Sequence, residues 1–167
     1  MGKTAEIFLE YQNLIDGPPA KAEALYAQAC SNDKATIDSW RDRWIANITA
    51  NHEWAGSFKA RGVGHLWGKY QYLPCIVAGS GPSLKGNADA LKNRGGIPLI
   101  SCLHNFHFFE DNGTPADFYV SLDAGDIVLA EVSEGGSKTP DEYWEMTKDR
   151  VLLAYIGSPP ELLKKWK

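Results

Sequence analysis

The sequence predicts an α/β protein with a Rossmann-like parallel sheet of about four strands, preceded by an N-terminal helical segment. Up to residue 72 the apolar residues follow helical spacing, whereas from residue 73 short apolar runs alternate with helical segments. Strands that alternate with helices pair in parallel, because each helix carries the chain back to the start of the next strand. We therefore expect a helical segment over 1–72 and a nucleotide-phosphate-binding domain over 73–167. No closing strand follows the fourth, so this domain is expected to be incomplete at its C-terminus.

The N-terminal segment carries three helical patterns. Ile7, Tyr11 and Leu14 predict an amphipathic helix over 4–15, and an alanine-rich second helix follows over 20–30. Further along, one helical face gathers large apolar side chains, namely Ile37, Trp40, Trp44 and Ile48. Such a stripe normally packs on the body of a domain, and the alternative is a surface that docks a protein partner.

The second half contains four predicted strands, each closed by turn residues. They cover 73–78, 97–103, 117–122 and 151–156. Helices are predicted between them over 87–94, over 105–111 and from Thr139, and a short one follows the last strand. Thr139 can cap its helix with Pro140 in the first turn, and Glu142 can complete a capping box.

Composition excludes several classes of protein. The net charge is −4 and the pI about 5.5, so no basic face is expected to bind nucleic acid. No apolar stretch approaches the roughly 18 residues of a membrane helix, and no secretory signal is recognisable, which predicts a cytoplasmic protein. Three widely spaced cysteines, Cys30, Cys75 and Cys102, form neither a disulfide framework nor a zinc site. Because Cys75 and Cys102 lie in apolar runs, both are expected to be buried thiols.

The strongest local signal is the glycine loop Gly79-Ser80-Gly81-Pro82-Ser83, which ends the first predicted strand and opens a helix. Gly79 and Gly81 have no Cβ, so backbone N–H groups can approach an anion closely. The helix start adds unpaired N–H groups and the positive end of the helix dipole. We therefore predict a phosphate site here, the alternative being a tight turn without a ligand. The second strand lacks the acidic residue that holds the ribose of NAD, and Asn105 is the candidate contact in its place.

Carboxylates and histidines follow the next strands. Asp123 and Asp126 come at the end of the third strand, where they can hold Mg²⁺ together with substrate phosphates. The alternative is that Asp126 caps the next helix and Asp123 accepts hydrogen bonds from nearby backbone. His104 and His107 flank Asn105, and His104 and Asp123 are the candidate catalytic residues.

The motifs over 74–126, CIVAGSGPSL and ADFYVSLDAGD, resemble the MptE-like family, a domain of unknown function named after archaeal 6-hydroxymethylpterin diphosphokinase. Trp44, Asn47, Tyr70 and Pro74 fit the same pattern, and the resemblance covers 40–166. It implies an ATP-binding diphosphokinase in which the glycine loop holds phosphates while Asp123 and Asp126 bring Mg²⁺.

The segments AGSGPSLK and CLHNFHFFED are also similar to the start of bacterial sialyltransferases that use CMP-sugars, and motility-accessory glycosyltransferase-like proteins share this domain. That resemblance implies a CMP-sugar held by Gly79, Ser80, Gly81, Pro82, Ser83 and Asn105. Because the chain ends before the residues that correspond to the transferases' catalytic histidine, a nucleotide-binding fragment is implied. A third interpretation is non-enzymatic, with a degenerate nucleotide fold whose Trp40 and Trp44 dock a partner.

Overall fold

The computed structural model describes the protein over residues 19–55 and 62–166. The chain divides into two compact units, the first ending at Asp42 and the second beginning at Arg43. The second unit contains a four-stranded parallel sheet with helices, which confirms the predicted α/β fold. The helix predicted over 4–15 lies outside the described residues.

Strands and helices alternate along the described chain. The strands are β1 (Ile76–Ala78), β2 (Leu99–Cys102), β3 (Phe118–Ser121) and β4 (Val151–Ala154). The α-helices are α1 (Pro19–Ala55), α2 (Leu84–Lys92), α3 (Phe106–Asp111), α4 (Ile127–Ser133), α5 (Pro140–Met146) and α6 (Pro160–Lys165). Short 3-10 turns precede β1, α3 and β4 at Val63–Leu66, Leu103–Asn105 and Thr147–Asp149.

Helix α1 is one continuous helix of 37 residues, where the sequence predicts two shorter ones. Beyond Pro19 the helix contains no glycine or proline, so nothing in its backbone chemistry interrupts it. The polar stretch around Asn32 continues the helix, and Lys34 pairs with Asp38 one turn later at 2.8 Å.

The sheet has the strand order β1-β2-β3-β4, and all three pairings are parallel. Each strand therefore pairs with its neighbours along the chain. The register aligns Ala78 with Ser101 and Ser101 with Tyr119, which brings the carboxyl ends of β1, β2 and β3 to the same edge.

The core lies on one face of the sheet. Leu99 and Tyr119 project from that face, where they form a buried cluster with Phe106, Phe109, Val128, Val132, Tyr143 and Leu162 of the helices. The rings of Phe106 and Tyr119 meet edge to face with centroids 5.0 Å apart. On the opposite face Tyr70 packs against Phe118, while Val77 and Val151 remain exposed.

Two polar arrangements support the ends of these elements. Thr139 caps α5 with the predicted capping box, since its Oγ1 accepts a hydrogen bond from the N–H of Glu142 and its own N–H donates to the Glu142 carboxylate. In α1, Asn47 donates to the carbonyl oxygens of Ala124 and Gly157, and Asn51 donates to those of Ile156 and Ser158. These amides fasten the last turns of α1 to the loops that follow β3 and β4.

The expected burial of Cys75 is wrong. Strand β1 begins only at Ile76, so Cys75 lies in the exposed segment that leads into the sheet, whereas Cys102 is half-buried at the end of β2. Among the described residues, no helix has both the length and the apolar character needed to cross a bilayer.

Candidate functional site

A cleft of about 360 Å³ opens at the carboxyl ends of β2 and β3, beside the loop that follows β1. This is the edge of a parallel sheet at which ligands bind in open α/β folds. Its lining residues are Ser80, Cys102, Leu103, His104, Val120, Ser121, Leu122, Asp123, Val128 and Glu131. Three of the predicted site residues, Ser80, His104 and Asp123, therefore share one cavity.

The glycine loop reaches this cleft through Ser80, which lies between Gly79 and Gly81. Among the described residues, a Cβ built on Gly79 meets no atom within 4 Å, and one built on Gly81 meets only the Ser83 hydroxyl, at 3.9 Å. Neither glycine has a positive φ. Neither packing within the described residues nor backbone conformation thus requires glycine at positions 79 and 81. The space beside the backbone of both glycines is open to a ligand.

Helix α2 begins directly after the loop, with Ser83 at its N-cap. The Ser83 side chain makes no capping hydrogen bond, so it leaves the first N–H groups of α2 unoccupied by a side-chain oxygen. Leu84 N–H is bonded to the carbonyl oxygen of Gly81 at 3.1 Å, which holds the loop closed against the helix. The arrangement suits an anion at the helix N-terminus.

Asn105 lies beneath the loop and does not line the cleft. It is buried at the N-cap of α3, where its Nδ2 donates to Ser101 Oγ at 3.0 Å and lies 3.5 Å from the carbonyl oxygen of Ala78. These bonds connect the ends of β1 and β2. The predicted contact between Asn105 and a nucleotide stays a prediction.

The two predicted metal ligands are placed differently. Asp123 is exposed in the cleft, and its Oδ1 accepts a hydrogen bond from the N–H of Gly125 at 2.7 Å. Asp126 lies outside the cleft lining at the N-cap of α4, where its carboxylate is 3.5 Å from the guanidinium of Arg43 and makes no side-chain capping bond. Within the part of the chain that the structure describes, no cluster of three or more His, Cys, Asp or Glu side chains could hold a metal ion by itself.

Two cleft residues were missed by sequence reasoning. Ser121 at the end of β3 is only 4% exposed, and its Oγ has no hydrogen-bond partner among the described residues, so a polar guest or water would satisfy it. Glu131 on α4 lies 3.2 Å from Nδ1 of His104. Its one sequence signal is that it is the single charged residue of α4 (Ile127–Ser133).

The side chains that line the cleft include two carboxylates. Asp123 and Glu131 are its acidic residues, and no lysine or arginine is found among the described residues that line it. A polyphosphate in such a cleft would need its negative charge compensated, which a metal ion and backbone N–H groups can do. Mg²⁺ keeps several waters and binds through one or two carboxylates plus phosphates, so Asp123 could serve as one such carboxylate.

A family model for 6-hydroxymethylpterin diphosphokinase MptE-like proteins matches residues 23–167. The chain belongs to the MptE-like family. The match includes the whole sheet, the glycine loop and every residue of the cleft. No curated protein and no solved structure matches the chain. The similarity to CMP-sugar sialyltransferases is not shown by these comparisons and stays a prediction.

Two further features of this MptE-like chain, a second cavity and the tryptophan stripe of α1, carry none of the predicted nucleotide or metal residues. A smaller cavity of about 180 Å³ lies under Tyr70 on the other face of the sheet and is lined mainly by apolar side chains. Trp40 and Trp44 of α1 are both half-buried, while Ile37 of the same stripe is exposed. A protein partner on this stripe therefore stays a prediction.

Proposed function

We propose that this MptE-like domain binds Mg²⁺-ATP in the cleft at the ends of β2 and β3 and transfers a diphosphate group to the hydroxymethyl group of a small pterin-type substrate. The observation that carries the proposal is that Ser80 of the glycine loop and Asp123 line one cavity, with open space at the Cβ positions of Gly79 and Gly81. The match to the 6-hydroxymethylpterin diphosphokinase MptE-like family supports the class of reaction.

Each side of the cleft has a role in this reaction. The N–H groups around Gly79 and Gly81, with the start of α2, would bind the phosphates, and the exposed Asp123 oxygen would hold the metal. When bound, Mg²⁺ supplies charge neutralisation for the phosphate oxygens. The substrate oxygen forms a bond to the β-phosphorus of ATP, the bond from that phosphorus to the oxygen bridging the α-phosphate breaks, and AMP leaves. Catalysis then rests on position and charge more than on covalent chemistry by the protein.

The alternatives predict different ligands for the same cleft. A CMP-sugar-dependent glycosyltransferase fragment would bind CMP without a metal, and a non-enzymatic interaction module would bind neither nucleotide. The acidic lining favours the metal-bound triphosphate, because a CMP-sugar without a metal would face Asp123 and Glu131 uncompensated.

Calorimetric titration of ATP and of CMP, each with and without Mg²⁺, tests the proposal. We expect ATP to bind only with Mg²⁺, and Asp123→Asn to weaken that binding about tenfold or more, since each lost charge-assisted contact costs about 1.5–3 kcal/mol. Asp89→Asn is the matched control, because Asp89 is an exposed carboxylate on α2 outside the cleft lining. Metal-independent binding of CMP would support the glycosyltransferase alternative, and no binding of either nucleotide at millimolar concentration would overturn both.

A further inference from the structure

His104 and Glu131 form a pair on one wall of the cleft. His104 lies on the 3-10 turn after β2 and Glu131 on α4, and both line the cavity. Nδ1 of His104 is 3.2 Å from a carboxylate oxygen of Glu131. The pair thus joins two elements far apart in the sequence at the edge of the proposed ATP site.

The contact determines which nitrogen of His104 is available. A carboxylate oxygen can only accept a hydrogen bond, so neutral His104 carries its proton on Nδ1. Its Nε2 is then a lone-pair acceptor, and no described residue makes a hydrogen bond to it. An imidazole whose other nitrogen is held by a carboxylate has the orientation and tautomer of a general base.

Stability does not explain the pair. The His104 side chain is 66% exposed and that of Glu131 is 25% exposed. Ion pairs of such exposure contribute little to folding. Both residues line the cleft in which, under the proposed function, a substrate hydroxyl approaches the phosphates. A role of the pair in proton transfer fits this position.

We propose that His104 is the general base of the diphosphoryl transfer and that Glu131 is its positioning residue. This inference rests on the proposed function. As the substrate oxygen forms its bond to the β-phosphorus, Nε2 of His104 takes the hydroxyl proton, and the bridging oxygen leaves with AMP. Glu131 keeps Nδ1–H fixed and stabilises the imidazolium that results. The second acidic residue of the cleft, Asp123, is assigned to the metal and does not take the proton.

The first test compares binding with turnover in the full chain. With 6-hydroxymethylpterin as the probe substrate, release of AMP from Mg²⁺-ATP is measured for wild type, His104→Gln and Glu131→Ala. We expect His104→Gln to lower kcat by about 100-fold or more, the usual worth of a general base, and Glu131→Ala by at least about 10-fold. The affinity for Mg²⁺-ATP should stay unchanged in His104→Gln, and in Glu131→Ala it should change less than kcat does. His65→Gln is the matched control, since His65 also has its Nδ1 engaged, with the Gly62 carbonyl oxygen, but does not line the cleft.

The second test reads the tautomer directly. Long-range ¹H–¹⁵N spectra of the imidazole nitrogens should show neutral His104 protonated on Nδ1 in wild type and shifted toward Nε2 protonation in Glu131→Ala. Glu131→Gln, which keeps an acceptor without the charge, should retain the wild-type tautomer with intermediate kcat. If Glu131 positions His104, its replacement by alanine changes the tautomer of the imidazole. If Glu131 is only structural, the tautomer stays the same.

The outcomes separate the two proposals. If wild type releases no AMP and binds no ATP, the proposed function fails. If wild type is active and His104→Gln keeps wild-type kcat, the general base is overturned while the function stands. If kcat falls only in His104→Gln and the tautomer is the same in Glu131→Ala, the role of Glu131 is overturned.

Discussion

Asn105 donates a hydrogen bond to the hydroxyl of Ser101 at 3.0 Å, directly beneath the point where β1 gives way to the glycine loop. Ser101 Oγ in turn lies 3.4 Å from the carbonyl oxygen of Ala78, the last residue of β1. The buried amide of Asn105 therefore holds the end of β1 against the end of β2. It thereby fixes the position of Ala78, from which the glycine loop continues.

Replacing Asn105 with alanine should weaken both the fold and the site. Lost hydrogen bonds of this buried amide cost about 1–2 kcal/mol of unfolding free energy, and a loosened loop should bind Mg²⁺-ATP less tightly. Urea unfolding and calorimetry on the same protein check the two effects together. A fall in affinity with unchanged stability would indicate instead that Asn105 contacts the nucleotide directly.

A side chain at Gly79 should abolish nucleotide binding without disturbing the fold. A Cβ there meets no atom of the residues that the structure describes within 4 Å, so Gly79→Val is accommodated, but the branched side chain would occupy the space beside the loop N–H groups. Gly86→Ala on α2 is the control, because its Cβ also meets nothing and alanine favours a helix by up to about 1 kcal/mol. Gly86→Ala should thus keep full affinity and melt higher. Retained ATP affinity in Gly79→Val would show that the guest lies elsewhere.

Breaking the ion pair between Glu110 and Arg150 should destabilise the domain strongly. Glu110, with a side chain only 2% exposed, accepts two hydrogen bonds from the Arg150 guanidinium and a third from Tyr119 OH. Glu110→Ala leaves that guanidinium without its carboxylate partner, which costs about 3 kcal/mol or more for a buried pair. Urea unfolding measures the loss. A decrease below about 1 kcal/mol would contradict this account, and Glu145→Ala, an exposed carboxylate on α5, is the comparison.

The carboxylate of Asp111 should stabilise the protein in a pH-dependent way. Burial alone would raise its pKa, but hydrogen bonds from Lys138, from the Ser137 N–H and from Tyr143 outweigh burial and hold the pKa of Asp111 well below its usual range. A carboxyl group whose pKa is lower in the folded state stabilises above the unfolded pKa of about 4 and loses that contribution as the pH falls below it.

Asp111→Asn should therefore lower the unfolding free energy by about 2 kcal/mol at pH 7 and by less at pH 3. The other titrating groups are common to both proteins, so the difference between the two urea curves isolates Asp111. An equal difference at both pH values would show that the hydrogen bonds, and not the charge, carry the effect.

The sequence predicts local features of this fold well and tertiary pairs poorly. Thr139 and Glu142 are three residues apart, and their capping box follows from spacing alone. The predicted strands extend beyond the paired residues, because apolar neighbours such as Leu73 and Ile156 continue the pattern outside the hydrogen-bonded part of the sheet. The glycine loop was recognisable because its chemistry is contained in consecutive residues.

Glu131 shows why the rest was not predictable. A single glutamate in an apolar helix gives no reason to pair it with His104, because only the packing of α4 beside the end of β2 brings the two together. Ser121 is similar, since a serine in a strand gives no indication that its hydroxyl will be buried without a partner. The predicted burial of Cys75 is wrong for a different reason. An apolar run does not show at which residue the paired strand begins, and Cys75 lies just before that residue.

The strand order β1-β2-β3-β4 also has a consequence for synthesis on the ribosome. Each strand pairs with the one made just before it, so a growing chain can add one strand and helix at a time to a finished edge. Short-range pairing of this kind keeps the entropy of loop closure low and speeds folding. The nascent sheet can thus form in the order of translation, because each strand after β1 pairs with a strand that has already been synthesised.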